Sequence, residues 1–451
     1  MLGNLAASVQ DLMVLFVFSF YGLLLFQEVK RRYNQATGLF AERSRSLKTL
    51  NAYLVYTLGL ILVISLFQSG ISNTAAFANL GIFGNLLRKI ESQKVLILTI
   101  GNLIFAVIFL PTVFAKIKRK GIVSVALIPF LVFVNLRTIF QDRDIDFDFY
   151  TEQIAVATTL LIIGIASTFT DRSVLLFLGK IFINSIVLTS FVLYLIQPSS
   201  VVTSSFGGGI GFNERFVGIC VTPTLFAGVT SLSFVINIFD FKSRKNFVSF
   251  LLSTISLIST ILTGSRTGII ACLVAFVLYA FNSSILNLNV NFKRFLLYVL
   301  FSAPPMFILS GFTFSALEPR TVVYKAGLQS LTKAGFWGLG PLNLTQGDDL
   351  RISYLHNQLL QTTLEFGVAG LLLFVIFALK WLNKVELVSS NMNFCIAIWV
   401  LLFMATENPL RVHTPLFATI TVITLIAMRI SIIHQIAEKK LVSSPFNKET
   451  F

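Results

Sequence analysis

The chain has 451 residues, of which 55% are hydrophobic and 12% charged, with a mean hydropathy of +0.83 and a net charge of +15. These values lie far outside those of soluble domains, and uncharged apolar runs recur along the whole sequence, which excludes a soluble enzyme. The basic balance does not indicate a nucleic-acid partner, because no binding module is present and cytoplasmic loops of membrane proteins are ordinarily basic.

Taken in chain order, the apolar runs predict an all-α fold, a polytopic transmembrane bundle of about 12 to 13 spans in one integral domain covering 1–451. The candidate spans are 10–27, 50–68, 94–115, 122–140, 151–169, 173–196, 216–238, 246–263, 267–284, 293–312, 356–379, 393–406 and 413–433. The first run lacks a charged leading region and a small-residue cleavage site, so we expect a retained span. The weakly apolar segment 70–93 is predicted to be interfacial or re-entrant.

The distribution of basic residues predicts an orientation. Most of the 35 Lys and Arg residues fall in alternate connections, which the positive-inside rule places in the cytoplasm. The N-terminus is then external and the C-terminus internal. The connections carrying Arg215 and Arg266, the loop 313–355 between the tenth and eleventh spans, and the turn 407–413 all face the external side. Candidate polar chemistry therefore gathers on one face of the membrane.

Two arginines stand beside predicted spans. Arg215 closes a glycine-rich stretch, SSFGGGIGFNERF, and Arg266 lies in the turn TGSRTG. No Gly-Lys-Ser/Thr follows the glycines, so a nucleotide P-loop is not predicted. The simpler interpretation of both residues is interfacial snorkelling at a helix end. The functional one is anion binding, because the forked donors and fixed charge of arginine suit a diphosphate.

The stretch 351–371, RISYLHNQLLQTTLEFGVAGL, changes from polar to apolar at His356 and Asn357. Histidine titrates near neutral pH, and the N-terminal end of a helix keeps its ring neutral, as a general base requires. The alternative is a hydrogen-bonded interfacial histidine. Glu365, about two and a half turns deeper, is predicted to be a structural anchor that pairs with an arginine or with backbone. Arg411, in ENPLRVHTP, is predicted to support the site.

Metal chemistry is not predicted. The acidic stretch DRDIDFD (142–148) spaces four carboxylates two residues apart but has Phe147 where a calcium loop needs glycine, so a solvated acidic turn is the better interpretation. No His, Cys and carboxylate grouping has zinc spacing. Cys220, Cys272 and Cys395 fall in apolar runs at unrelated spacings and are expected to be small buried hydrophobes. No metal and no cofactor is expected.

Three blocks between 200 and 380 resemble the O-antigen ligase and O-antigen polymerase family of membrane glycosyltransferases. ERFVGICVTPTLFAG (214–228) is similar to its Arg-x-x-Gly…Pro block, and TGSRTG (263–268) to its Ser-Arg turn. LHNQLLQTTLEFGVAGL (355–371) is similar to its His-Asn-x-x-Leu…Glu-x-Gly signature, after a GLGPLN stretch (338–343) typical of the external loop. The chain departs from the family at Thr222 and Thr224, where relatives often carry asparagine.

The resemblance implies a GT-C-like enzyme of the bacterial inner membrane that acts at the periplasmic face in lipopolysaccharide or surface polysaccharide biosynthesis. Its donor would be a glycan on undecaprenyl diphosphate, and its acceptor a sugar on lipid A-core or on a lipid-linked repeat. Arg215 and Arg266 would bind the diphosphate, His356 would take the acceptor proton, and Asn357 and Glu365 would orient that helix end. Arg411 would support them, without a metal.

Two questions stay open at the level of the sequence. The patterns do not separate a polymerase from a ligase or from an enzyme that glycosylates proteins, although no extra domain for the last is present. The alternative from another class is a transporter or flippase of lipid-linked glycan. That function needs a polar path with ionisable residues inside the spans, and Lys180 and Glu365 are nearly the only deep charges that the sequence predicts.

Overall fold

A computed structural model describes residues 58, 92–120, 127–140, 147–169, 172–196, 201–204, 214–220, 222–281, 288–309, 327–331, 334–340, 357–385, 387, 391–407, 409–410 and 415–428. Several predicted features lie outside these residues: the span 10–27, the span 50–68 apart from Leu58, nearly all of 70–93, the glycines 207–211 and most of the acidic stretch. His356 and Arg411 also lie outside them.

The described part of the chain is mostly helical, and a helix overlies every candidate span from 94 onward, which confirms the predicted helical class. The helices are α1 (Lys94–Lys120), α2 (Leu127–Ile139), α3 (Phe147–Phe169), α4 (Arg172–Ile196), α5 (Pro223–Arg244), α6 (Phe247–Leu262), α7 (Arg266–Ala280), α8 (Val290–Leu309), α9 (Gln358–Lys384), α10 (Asn391–Thr406) and α11 (Pro415–Ala427). A shorter helical segment covers 327–331.

One departure from the all-α prediction precedes α5. Strands β1 (Val202–Ser204) and β2 (Glu214–Phe216) pair antiparallel, with Thr203 opposite Arg215. The span predicted to begin at 216 is therefore wrong at its start, since the helix begins only at Pro223. Thr222 caps it, its hydroxyl accepting from the Leu225 amide, and proline is favoured in the first turn of a helix. The apolar residues before the cap form a buried turn instead.

Within the described ranges, four helices are long and apolar enough to cross a membrane. They cover Tyr150–Thr168, Leu175–Leu195, Pro223–Ser243 and Gln358–Lys384. Crossing the hydrocarbon core takes about 20 helical residues. Several of the other helices are apolar but shorter, including α2, α6, α7 and α10.

The short helix α6 has an inverted pattern of burial. Its buried face carries Ser249, Ser253, Ser256, Ser259 and Thr260, and its exposed face carries Phe247, Val248, Phe250, Leu251, Ile258 and Ile261. In water this arrangement would expose the apolar surface and bury the polar one. Small and hydroxyl-bearing residues between helices, with large apolar residues outside, are typical of helices packed in lipid. The surface of α6 is therefore suited to an apolar solvent.

Helix α5 lies at the centre of the bundle, in contact with α4, α6, α7, α10 and α11. Close approach at its middle depends on Gly228, where an added Cβ would lie 2.5 Å from the ring of Phe417 on α11. One turn away, the Trp399 indole of α10 donates to Ser231 Oγ at 2.9 Å. Helix α10 also contacts α9, so it joins the bundle around α5 to the helix that carries the third motif.

A line of buried and partly buried polar contacts, which we call the polar seam, joins α4, α5 and α6. It begins with the Lys180–Asp240 ion pair at 2.7 Å and Ser249, whose hydroxyl donates to the same carboxylate. It continues through Asn184, Asn237, Ser233 and Ser256 to the Thr230–Thr260 contact at 2.8 Å. The partly buried Asp240 of α5 and the fully buried Lys293 of α8 were not predicted as charges within the bundle, because the sequence placed both at or beyond the ends of spans.

Candidate functional site

Arg215 is the middle residue of β2 and is partly buried. Its Nε donates to the carbonyl of Thr263 at 2.7 Å, so the arginine is fastened to the turn between α6 and α7. Gly264 in that turn has φ +62°, a value that favours glycine. The strand pairing places the side chain there, because Thr203 holds β2 in register. The first two motifs, far apart in sequence, therefore meet directly.

Arg266 is the first residue of α7 and is exposed. Ser265 caps the helix, accepting from the Gly268 amide, and fixes where the turn ends. The positive end of the helix dipole repels a cation at the helix N-terminus. A bound anion would offset this repulsion, since it is attracted both by the arginine and by the free N–H groups of the first turn. Exposure alone also agrees with snorkelling. What the fold adds is that the two arginines flank one short turn.

The N-terminus of α9 is held from two sides. Asn357 caps it, its side-chain oxygen accepting from the Leu360 amide at 3.1 Å while its Nδ2 donates to the Ala405 carbonyl at 3.2 Å. Next to it, the side-chain oxygen of Gln358 accepts from the Leu410 amide at 3.0 Å. Asn357 and Gln358 are both buried. The start of α9 is therefore fixed to the C-terminal end of α10 and the residues that follow it.

The same end of α10 also reaches the arginine turn. Thr267 Oγ1 of α7 lies 3.1 Å from Thr406 Oγ1, and Thr406 follows Ala405, which binds Asn357. Hydrogen bonds thus run from Arg215 to the 263–266 turn, from α7 to α10, and from α10 to Asn357. All three sequence motifs lie at one end of the bundle, around the end of α10.

Two predicted site residues adjoin this cluster in the chain. His356 is bonded to Asn357 and Arg411 to Leu410, and Leu410 is bound by Gln358. Both lie outside the described residues, so the structure gives no side-chain position for either. The roles predicted for them stay predictions.

Glu365 lies deeper in α9 and is 3% exposed. Its Oε1 accepts from Gln361 Nε2 at 2.7 Å, one turn toward the helix start. A carboxylate buried in an apolar bundle needs such donors, since an unpaired charge there is costly. The residue is thus held within the same helix end that Asn357 caps.

The sequence predicted a continuous span over 356–379, but helix α9 is broken within that range. At Gly367 the backbone takes φ +64° and ψ −163°, which breaks the helix into two halves. Residues 334–340, which we call the docked segment, fill the break: Leu339 N and Gly340 N donate to the carbonyls of 364 and 365, each at 2.9 Å. Apolar periodicity continues across the break, so a hydropathy pattern could not reveal it.

Five polar residues that hold the motifs together were not predicted from the sequence, namely Gln358, Gln361, Thr267, Thr406 and Arg137. Polar residues within an apolar run were the available signal. Among the described residues no group of three or more His, Cys, Asp or Glu side chains is arranged to hold a metal ion. The three cysteines are buried, as predicted. Of the acidic stretch, the structure describes Phe147 and Asp148, which begin α3.

No protein-family model and no curated protein matches the chain. The functional conclusion therefore rests on the residues and on their arrangement.

Proposed function

We propose that this protein is a membrane glycosyltransferase that moves a glycan from undecaprenyl diphosphate to a sugar acceptor, as an O-antigen or surface polysaccharide polymerase or ligase. The site would face the periplasm of the bacterial inner membrane, in a GT-C-like bundle of 12 to 13 spans. The observation that carries the proposal is the meeting of three motifs, separated by up to about 150 residues, around the end of α10.

The arginine end of this cluster suits a diphosphate. Arg215 and Arg266 flank one turn, and Arg266 begins α7, whose N-terminal dipole adds partial positive charge. Anions bind readily where a helix N-terminus and arginine side chains coincide. In transfer, this charge would stabilise the diphosphate as its bond to the sugar breaks. No metal ion is needed for that step.

The α9 end would supply the base. His356 precedes the cap residue Asn357, which is held between α9 and α10. The acceptor hydroxyl would attack the anomeric carbon, its proton passing to His356 while the carbon–oxygen bond to undecaprenyl diphosphate breaks. The helix dipole at the start of α9 favours the neutral imidazole that accepts this proton. Glu365 and Arg411 would support the site.

Two features of the bundle support a membrane location: the four long apolar helices, and helix α6, which buries its polar face and exposes its apolar one. A donor with a polyprenyl tail stays in the bilayer while its diphosphate reaches the surface. Charged residues at one end of the bundle, with apolar surfaces along its length, fit a substrate of that shape. The basic connections at the other end favour a periplasmic site.

A transporter of lipid-linked glycan is the second candidate, and the polar seam is the observation in its favour. Lys180 and Asp240 place ionisable groups inside the helices, and hydroxyls and amides continue the line toward Thr263. Yet the seam is closed, because its amides and central hydroxyls are buried and hydrogen-bonded to one another, and the partly buried Lys180 and Asp240 are paired with each other. It does not explain why the arginine turn and Asn357 meet, so glycosyl transfer is the better conclusion.

A complementation experiment tests the proposal. Cells lacking the gene receive either the wild-type gene or an empty vector, and surface glycan and lipid-linked glycan are analysed on gels. A polymerase leaves single repeats on lipid A when it is absent, and a ligase leaves full-length glycan on its lipid carrier at the periplasmic face. Lipid-linked glycan stranded on the cytoplasmic face would instead support the transporter. Unchanged glycan in every fraction would contradict both functions.

Replacing Arg266 with lysine tests the diphosphate contact. Arg266→Lys keeps the charge and loses the fork, so we expect the KM for the donor to rise about tenfold, because a charge-assisted hydrogen bond contributes about 1.5 kcal/mol or more. The measurement is transfer by the purified protein in lipid vesicles at varied donor concentration. The matched control is Lys245→Arg. Lys245 is exposed and lies at the C-terminal end of α5, whereas Arg215 precedes the N-terminal end of that helix. An unchanged KM would contradict bidentate binding.

A further inference from the structure

The break in α9 separates the residues of the candidate site from the rest of that helix. Residues 358–366, which we call the half-helix, carry Gln361 and Glu365 and begin at the Asn357 cap. Because the backbone of Gly367 is not helical, the half-helix is not a rigid extension of the rest of α9. Its position depends on its tertiary contacts.

A helix break in an apolar bundle leaves carbonyl groups without helical partners, and each unsatisfied group is costly there. The docked segment supplies the partners at this break through Leu339 N and Gly340 N. In the reverse direction, Ala369 N donates to the Phe336 carbonyl at 3.1 Å. The contact is backbone to backbone, so it has no adjustable side chain between the two elements.

The fit at this contact leaves no room for a side chain. A Cβ on Gly338 would lie 2.4 Å from the Glu365 carbonyl oxygen, and one on Gly367 would lie 2.3 Å from the Phe336 carbonyl oxygen. Backbone atoms at these distances cannot yield without moving one of the two segments. A shift of the docked segment is therefore transmitted to the half-helix.

Arg137, in the last turn of α2, holds the docked segment from the other side. Its Nε donates to the Trp337 carbonyl at 3.0 Å and its Nη2 to the Gly338 carbonyl at 2.9 Å. Its Nη1 donates to the Phe140 carbonyl of its own helix end at 3.3 Å. One guanidinium thus joins α2 to two consecutive carbonyls of the segment, a geometry that the single ammonium of lysine does not reproduce.

We propose that Arg137 is a positioning residue for glycosyl transfer, acting through the docked segment on the half-helix and so on Asn357 and the adjoining His356. The inference rests on the proposed function. Arg137 is bonded to backbone and not to the arginine turn, so its loss displaces the base end of the site and leaves the diphosphate end in place. A displacement of about 1 Å in a site of this kind reduces turnover by as much as about a hundredfold.

The test compares Arg137→Ala, Arg137→Lys and Phe336→Leu as purified full-length proteins in lipid vesicles, with lipid-linked glycan extracted from the deletion strain as donor. We expect kcat to fall about ten- to a hundredfold in Arg137→Ala and less in Arg137→Lys, with the KM for the donor within about twofold of wild type. Phe336→Leu is the matched control, because the ring is exposed and the substitution keeps the backbone carbonyl that accepts from Ala369 of α9.

A second readout does not depend on transfer. Thr362 is fully buried on the half-helix, and the native cysteines are also buried. In a Thr362→Cys background, a membrane-impermeant maleimide is expected to label the thiol slowly with Arg137 present and several-fold faster in Arg137→Ala. If Arg137→Ala does not accumulate in the membrane, Arg137→Lys is used for the same pair of measurements.

The outcomes separate the two proposals. Faster labelling together with a lower kcat supports the positioning role. Unchanged labelling, or a change confined to the donor KM, overturns it and leaves the proposed function standing. Faster labelling with unchanged transfer shows that the half-helix moves without affecting the reaction, which overturns its place in the site.

Discussion

Replacing His356 with alanine is expected to abolish transfer while leaving the protein in the membrane at normal levels. General-base catalysis contributes about a hundred- to ten-thousandfold to a rate, and alanine removes the base without a substitute. The neighbouring cap should persist, since Asn357 makes its contacts to Leu360 and Ala405 with its own side chain. The measurements are surface glycan on a gel in complemented cells and initial rates with the purified protein.

The matched control is His434→Ala. His434 lies near the C-terminus, in a region that the positive-inside rule places in the cytoplasm. We expect full surface glycan from that variant. The donor KM of His356→Ala should stay close to wild type, because the proposed diphosphate contacts come from Arg215 and Arg266. Normal surface glycan with His356→Ala would eliminate His356 as the base and bring the transporter function forward.

The largest expected effect on stability comes from Gly367→Ala. The position needs φ +64° with ψ −163°, a region that is essentially restricted to glycine, and an added Cβ would lie 2.3 Å from a carbonyl oxygen and 2.4 Å from the Gly338 amide nitrogen. Strain and overpacking together should lower the free energy of unfolding by about 3 to 5 kcal/mol. The measurement is the apparent melting temperature of the detergent-solubilised protein.

Gly335→Ala is the control that separates backbone strain from the steric contact. Gly335 has a similar φ of +57°, but nothing lies within 4 Å of an added Cβ. We therefore expect a loss of only about 1 kcal/mol, from the left-handed backbone alone. Equal destabilisation by the two substitutions would show that the contact between the docked segment and α9 does not hold the break closed.

The positions of the helices were easier to predict from the sequence than the residues at which the helices begin. The centres of the described helices were predicted correctly, because apolar runs of this length have few other solutions in lipid. The start of α5 was wrong, since Phe216 to Cys220 are as apolar as the helix but belong to a strand and a buried turn. Their burial comes from contacts with other elements, such as the ring contact of Phe216 with Tyr194 of α4, and hydropathy does not distinguish the two cases.

The sequence by itself determined the helical class, the apolar outer surfaces and the residue types of the candidate site, because composition and periodicity are local properties. Only the tertiary structure decided that Arg215 binds the Thr263 turn, that α10 joins this turn to Asn357, and that α9 is broken at Gly367. These features depend on hydrogen bonds between residues about 25 to 140 positions apart. The packing of the helices determines which buried polar groups form hydrogen bonds with each other. A single sequence therefore shows which polar residues are present but not which of them are in contact.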